Sequence, residues 1–244
     1  MPTLDLVHIT DTHIGQPGAD AQLAAVVAHL QAGPDLQAVL ATGDLVDTPE
    51  DAIYQDLARL LRPLPAPVLA LPGNHDDPER LRAIFSDSPV ERPACWSQGD
   101  WSIVSVNTHV AGSSAGALGE RRLAALEAAL HDNQSPHLLV AMHHPPVPIG
   151  SPWMDAMACA DGAALLQRLA ADGRTRVVLW GHVHQAFASR VSGMALYATP
   201  STYVQFAPRS DRYAIADRRP GYRWLRLQAD GSHATGVVYL PERD

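Results

Sequence analysis

Apolar residues along this chain fall into short runs that stop abruptly at polar groups, and between the runs apolar positions recur at helical spacing. Leu4 to Thr10 is β-branched and apolar, which reads as a buried strand, and it feeds Asp11-Thr12-His13. From Asp20 to Gln31 the period changes: Leu23, Val26, Val27 and Leu30 form one face of a helix that Gly33-Pro34 stops. Val39 to Thr42 predicts a second strand ending at Gly43-Asp44, and Thr48 is expected to cap a helix opened by Glu50 and Asp51 and continuing to Leu61. Pro63, Pro65 and Pro67 separate it from a third strand, Val68 to Leu71, which meets Gly73-Asn74-His75. Such alternation builds right-handed βαβ units around a mainly parallel sheet, whose ligand crevice lies beyond the carboxyl ends of the strands.

The second half repeats the scheme. A short helix from Asp77-Pro78 to Phe85 precedes a Pro-rich segment, Ser86 to Gly99, that reads as irregular, followed by a strand from Trp101 to Val106. Gly116 to Asp132 carries Leu118, Leu123, Leu126 and Leu130 on one helical face, and His137 to Met142 is a strand that runs into His143-His144. Pro145 to Cys159 reads as a long loop or lid, Asp161 to Ala171 as helix, and Arg176 to Trp180 as the strand before Gly181-His182-Val183-His184. Ala195 to Thr199 is a further strand, and Gly221 to Leu240 two strands joined at Asp230-Gly231. The doubling predicts an α/β protein of two sheets packed face to face with helices outside, as one domain over residues 1–244.

Composition narrows the partners. The net charge is -8 and no run of Lys or Arg occurs, which argues against a nucleic-acid polymer as ligand, because counterion release needs a basic footprint. Cys95 and Cys159 are too few for a disulfide framework or a thiolate zinc site, and a reducing cytoplasmic setting fits them. The opening Met1-Pro2-Thr3-Leu4-Asp5 lacks a secretory pattern, and no apolar run approaches the ~20 residues that span a bilayer, so no membrane partner is expected.

The chemistry lies in how the strands end. Asp11, His13, Asp44, Asn74, His143, His182 and His184 all follow apolar runs, and together they offer carboxylate, amide and imidazole donors without thiolates. Taken singly, a histidine at a strand end is more often a surface or hydrogen-bonded core residue than a ligand. Seven donors exceed what one catalytic ion with an open position takes, so two ions sharing a bridging group are more economical, and a carboxylate such as Asp44 can bridge. Asp47 and Asp76 adjoin these motifs and read either as turn caps or as groups that orient ligands. His144, next to a candidate ligand on an extended segment, points the other way and reads as a packing residue, and Gly181 reads as room for the backbone to turn.

Asp11-Thr12-His13, Gly43-Asp44, Gly73-Asn74-His75-Asp76, His143-His144-Pro145 and Gly181-His182-Val183-His184, in this order, resemble the five motifs of the calcineurin-like metallophosphoesterases. Trp153-Met154-Asp155, Thr199-Pro200-Ser201-Thr202, Gln205-Phe206 and Pro220-Gly221-Tyr222-Arg223-Trp224-Leu225 extend the resemblance to the bacterial class III 3′,5′-cyclic AMP phosphodiesterases. The resemblance implies a four-layer α/β/β/α sandwich of two mixed sheets. It implies one metal on Asp11, His13, Asp44 and His184 and a second on Asp44, Asn74, His143 and His182, with His75 as the catalytic residue that protonates the leaving oxygen. The implied cofactors are two divalent or trivalent ions, iron, manganese or zinc. The implied substrate is a small phosphodiester, a cyclic nucleotide, and the resemblance leans towards a homodimer. Two other readings stand beside it: a broader phosphoesterase, since one metal chemistry serves many esters, and an inactive metal-bound scaffold.

Overall fold

In the computed structural model, which describes residues 3–241, the strands and helices alternate as the periodicity predicts. Met1 and Pro2, used in reading the N-terminus, lie outside the described residues, as do residues 242–244. The order is β1 (Leu4–Ile9), α1 (Ala19–Gln31), β2 (Ala38–Thr42), α2 (Asp51–Leu61), β3 (Val68–Leu71), α3 (Pro78–Ile84), β4 (Ala94–Gln98), β5 (Trp101–Ser105), α4 (Gly119–Asp132), β6 (His137–Ala141), α5 (Pro152–Asp155) and α6 (Gly162–Asp172). It continues with β7 (Thr175–Trp180), β8 (Phe187–Val191), β9 (Met194–Ala198), β10 (Gln205–Phe206), β11 (Ile215–Asp217), β12 (Gly221–Leu227) and β13 (His233–Tyr239).

Two mixed sheets result, in the orders β13-β12-β1-β2-β3 and β4-β5-β6-β7-β9-β8, with β10-β11 a separate hairpin. β1, β2 and β3 run parallel, as do β5, β6, β7 and β9, so the five motif-bearing strands present their carboxyl ends together. Alternation along each strand divides the apolar residues into layers. Val7, Ile9, Val39 and Ala41 pack on α1 and α2 through Leu23, Val26 and Leu57; Val140 and Val178 pack on α4 and α6 through Leu126 and Leu165. Leu4, Leu6, Leu40, Ile103, Leu139, Leu179 and Leu225 interlock between the sheets. The order of layers is therefore α/β/β/α.

The layer between the sheets changes character along its length. It begins with Leu4 and Leu6 on β1 and Leu225 and Leu227 on β12, and becomes polar at His8, Thr10, Thr42, Thr199 and Arg223, all buried. Unpaired polar groups at that depth are costly, and here they form a circuit. Arg223 Nε–H donates to Thr199 Oγ1, the Thr199 hydroxyl lies 2.6 Å from His8 Nδ1, and His8 Nε2 lies 2.6 Å from Thr42 Oγ1. Thr42 in turn donates to Thr10, and Thr10 to the Thr42 carbonyl. Burial and the Arg223 charge bring the His8 pKa down to about 3, so the ring is neutral and bridges one hydroxyl to another.

Three local expectations are corrected. Thr48 does not cap α2; Glu50, two residues on, occupies the cap position without a side-chain bond, and its amide donates to the Thr48 carbonyl. The Pro-rich segment after α3 contains β4, an edge strand held against β5 by the register Ala94 to Ser105, with no residue fully buried and so no apolar run to mark it. Residues 145–159 form the long loop expected, but not one free of helix: the four-residue α5 lies within it and buries Met154, and the Asp155 carboxylate accepts from the Ile149 and Gly150 amides.

Candidate metal centre

The candidate ligands follow the carboxyl ends of β1, β2, β3, β6 and β7, and after β1, β2 and β7 the chain turns sharply at the ligands themselves. Asp11, His13, Asp44, His182 and His184 all have positive φ, between 46° and 65°. Asp and His tolerate this left-handed region better than most residues, yet each such position costs on the order of 1–3 kcal/mol and persists only where its surroundings impose it. Asp11 and His13 are therefore not aimed by extended-strand alternation. Two left-handed residues redirect them. Gly181 is likewise not the turning residue: a Cβ there would land on Thr10 Oγ1 and 2.7 Å from Asp11 Oδ2, so it is glycine for close approach.

Two donor groups converge in the cleft. In one, His13 Nε2 lies 3.3 Å from His184 Nε2, and His184 Nε2 lies 3.3 Å from Asp11 Oδ1. In the other, His143 Nε2 lies 3.3 Å from Asn74 Oδ1, 3.3 Å from Asp44 Oδ2 and 3.2 Å from His182 Nδ1. Asp44 lies between them: its Oδ1 accepts from the His75 amide, and a donor set of Asp11, Asp44 and His143 falls within 4.8 Å. His182 and His184, two residues apart, thus go to different groups.

These contacts fit cations better than they fit hydrogen bonds. Ligands at ~2.0–2.1 Å from a tetrahedral ion stand about 3.3 Å from one another, the spacing seen here between atoms that mostly bear lone pairs. Outer partners fix which nitrogen faces inward. Nδ1–H of His143 donates to the Thr42 carbonyl at 2.7 Å, Nδ1–H of His184 to the Val204 carbonyl at 2.7 Å, and His13 Nδ1 faces the Asp47 carboxylate at 3.3 Å. That leaves Nε2 of each toward the cleft, in the tautomer a metal requires. His182 is reversed, with Nδ1 inward and Nε2 buried without a protein partner. Burial opposes charging Asp44, but His143 and His13 beside it hold its carboxyl well below the usual range. Burial likewise opposes charging His143, while Asp44 and Asp11 raise its pKa to about 9, so a cation entering this group displaces that proton.

The neighbouring residues divide by what they touch. Asp76 is buried and accepts from the amides of Gly73, Leu45 and Val46 and from Tyr54 Oη, tying the β2 and β3 end loops together. Asp47 faces His13, as its orienting reading proposed. His144 Nδ1 pairs with Thr108 Oγ1, consistent with a packing position, and its ring lies 4.7 Å from that of His182. His109 bonds to the Gly73 carbonyl, and Asn107 accepts from the His109 amide. His75 stands at the cleft wall with a 40% exposed side chain, Nδ1 at 2.9 Å from the Asp47 carbonyl and its ring edge-on to His13.

The cleft holds about 200 Å³ and is lined by His13, Asp44, Asn74, His182 and His184 on its floor, by His75 on its wall, and by Trp153, Met157, Phe206 and Tyr213 higher up. Phe206 stacks on the His184 ring, 3.9 Å between centroids and 9° from parallel. Phe206 and Tyr213 were not singled out in the sequence as cleft residues, since they sit on the β10-β11 hairpin, a pairing too short to leave a periodic signal.

Similarity to known proteins follows the same lines. A family profile for calcineurin-like phosphoesterases matches residues 4–186. A 3′,5′-cyclic adenosine monophosphate phosphodiesterase CpdA from Pseudomonas aeruginosa is 35% identical over 241 residues, covering 95% of this chain and 88% of the relative. A CpdA from Escherichia coli K12 is 33% identical, covering 97% of this chain and 90% of the relative. Among solved structures, a dimetal phosphatase from Danio rerio superposes with a TM-score of 0.66 at 14% identity, over 93% of this chain and 96% of that one. GAP50, the anchor in the inner membrane complex of Plasmodium, superposes at 0.71 with 11% identity over 98% and 85%, so the fold by itself does not choose between catalysis and anchoring. With its profile match over most of the sequence and its strand-end motifs gathered into one cleft, this chain belongs to the calcineurin-like phosphoesterases, and it is a hydrolase of that family.

Proposed function

We propose that this protein is a dinuclear metal phosphodiesterase that hydrolyses 3′,5′-cyclic AMP to 5′-AMP. The observation that carries the reading is the pair of donor groups flanking Asp44, one of Asp11, His13 and His184, the other of Asn74, His143 and His182. The names of the relatives supply the substrate. Asp44, whose Oδ1 takes the His75 amide and whose Oδ2 lies 3.3 Å from His143 Nε2, is the residue that would be shared between the two ions. Two ions, when bound, lower the pKa of water and neutralise phosphoryl oxygens. Iron, manganese and zinc all suit mixed carboxylate and imidazole donors.

The chain's own residues do the remainder. Asp11 and Asp44 supply the negative charge that retains the cations, and Asn74 adds an oxygen without charge. His75 keeps Nδ1–H on the Asp47 carbonyl, so Nε2 is the nitrogen that exchanges a proton with substrate; it protonates the departing ribose oxygen. A cytoplasmic setting agrees with two free cysteines, and among the described residues no helix is long and apolar enough to cross a membrane.

The test is a substrate panel on metal-loaded enzyme: cyclic AMP, cyclic GMP, a 2′,3′-cyclic nucleotide, a glycerophosphodiester and a phosphomonoester. The highest kcat/KM is expected for cyclic AMP, lost on chelation and restored by readdition of metal. A monoester or glycerophosphodiester turned over fastest replaces the proposal with the broader phosphoesterase. A metal-loaded protein inert on every ester leaves the scaffold.

A further inference from the structure

The metal-lined cleft is small. Its volume of about 200 Å³ lies below the ~300–1,000 Å³ of pockets that enclose whole ligands, so a nucleotide seats its phosphoryl end on the floor and extends over the rim. The nature of the rim then decides what the rest of the substrate is. On this side it is aromatic and comes from two segments clamped to each other: Trp153 and Met157 at α5, Phe206 and Tyr213 on the β10-β11 hairpin. The Arg209 amide donates to Ser151 Oγ, joining hairpin to α5, and the Phe206 amide donates to the His184 carbonyl, joining hairpin to floor.

We infer that Tyr213 and Trp153 form a subsite for a nucleobase. Tyr213 is 59% exposed, an unusual position for a large aromatic that nevertheless lines a cleft. Its ring is held rather than loose: it meets Trp153 edge-on at 5.8 Å and 85°, and Phe206 at 5.2 Å and 69°. A ring held by its neighbours yet exposed over more than half its surface beside the cleft offers a stacking platform, and stacking accepts any base because every base has a π-face. An aromatic wall also attracts cations, as in cages for quaternary ammonium groups. Here the three rings already touch, with Trp153 and Phe206 5.2 Å apart, so they close the space such a cage would need between them. A planar neutral group is the better fit. The inference rests on the phosphodiesterase reading for the phosphoryl position and adds the part of the substrate that the metals do not see.

The experiment separates the two. Binding to metal-loaded protein is measured by calorimetry for AMP, ribose 5-phosphate, inorganic phosphate and glycerophosphocholine, with wild type, Tyr213→Ala, Tyr213→Phe and Trp153→Ala. AMP is expected to bind the wild type at least about tenfold more tightly than ribose 5-phosphate, the order of one base stack. Tyr213→Ala is expected to erase most of that ratio while leaving phosphate affinity and metal content unchanged, and Tyr213→Phe to retain it. Should Trp153→Ala fail to fold, the exposed Tyr213 decides alone. Equal binding of AMP and ribose 5-phosphate, or a Tyr213→Ala loss equal for AMP and phosphate, overturns the subsite. A loss confined to glycerophosphocholine overturns it in favour of a cation cage. Cyclic AMP left unhydrolysed while AMP still binds through Tyr213 would instead end the phosphodiesterase reading and keep the subsite.

Discussion

Asp11, on the floor of the cleft, is wholly buried with positive φ, whereas Tyr213, on its rim, is 59% exposed and held by ring contacts alone among those described. The two regions place their side chains by different physics. On the floor, strand ends fix the Cα positions, left-handed turns aim the donors, and hydrogen bonds to carbonyl and carboxylate oxygens fix the tautomers. Error there must stay within tenths of an ångström, because coordination distances allow no more. On the rim a short helix and a two-stranded hairpin brace aromatic faces, which tolerate sliding.

Four substitutions break or sharpen this contrast. The largest effect is expected from Asp44→Ala, which removes the carboxylate lying between both donor groups; elemental analysis should find both metals depleted and turnover at background. Two metals retained with full turnover would remove the bridging role. His75→Ala comes next, because it touches the cleft without entering either donor group. Metal content should hold while kcat falls roughly 10²–10⁴-fold, most for poor leaving groups, as loss of a general acid does. Metal loss would move His75 to the floor. Gly181→Ala should be milder on chemistry but still structural. Its Cβ forces Thr10 and Asp11 aside, an overpacking cost of about 1–3 kcal/mol, and thermal denaturation with metal titration should show lower stability and weaker binding at the Asp11 group.

The floor was legible in the sequence for the same reason that it is rigid. Each donor directly follows a buried strand, so Asp11, Asp44, Asn74, His143 and His182 announced themselves by position as well as by type, and parallel pairing brought the ends together. The layer order followed from apolar alternation. What did not follow was the backbone: the turn was assigned to Gly181 when His182 and His184 make it, because close packing and positive φ both select glycine and a sequence does not separate them. The rim was legible only as Trp153 and Phe206, quoted separately among the resembling motifs. Phe206 and Tyr213 join Trp153 across about fifty residues of chain through contacts that have no period, and β4 and β8, edge strands exposed on one side, lack the apolar run that marks a buried strand.

The smallest effect at neutral pH, and the one that tests how the floor is supported, concerns His8. Thr42 is engaged at both of its oxygens here: its hydroxyl meets His8, and its carbonyl accepts from Nδ1–H of His143, so the buried circuit ends on a residue of the donor cage. Replacing His8 with Gln keeps a donor and an acceptor but removes a titrating ring, and metal content and kcat at pH 7 should change little. The difference lies in stability below neutrality. A histidine with an ordinary pKa of 6.5 when unfolded and about 3 when folded binds its proton only in the unfolded chain across that interval. Its contribution is therefore complete above pH 6.5 and lost as pH falls towards 3. By linkage, the stability gap between wild type and His8→Gln should shift against the wild type by about 3 kcal/mol between pH 7 and pH 4, measured by denaturant unfolding of metal-free protein. Parallel curves for the two proteins would mean that the buried ring already carries its proton in the native state. A second N–H would then face Thr199 Oγ1, which already receives one from Arg223, and the circuit beneath the floor could not be the one described.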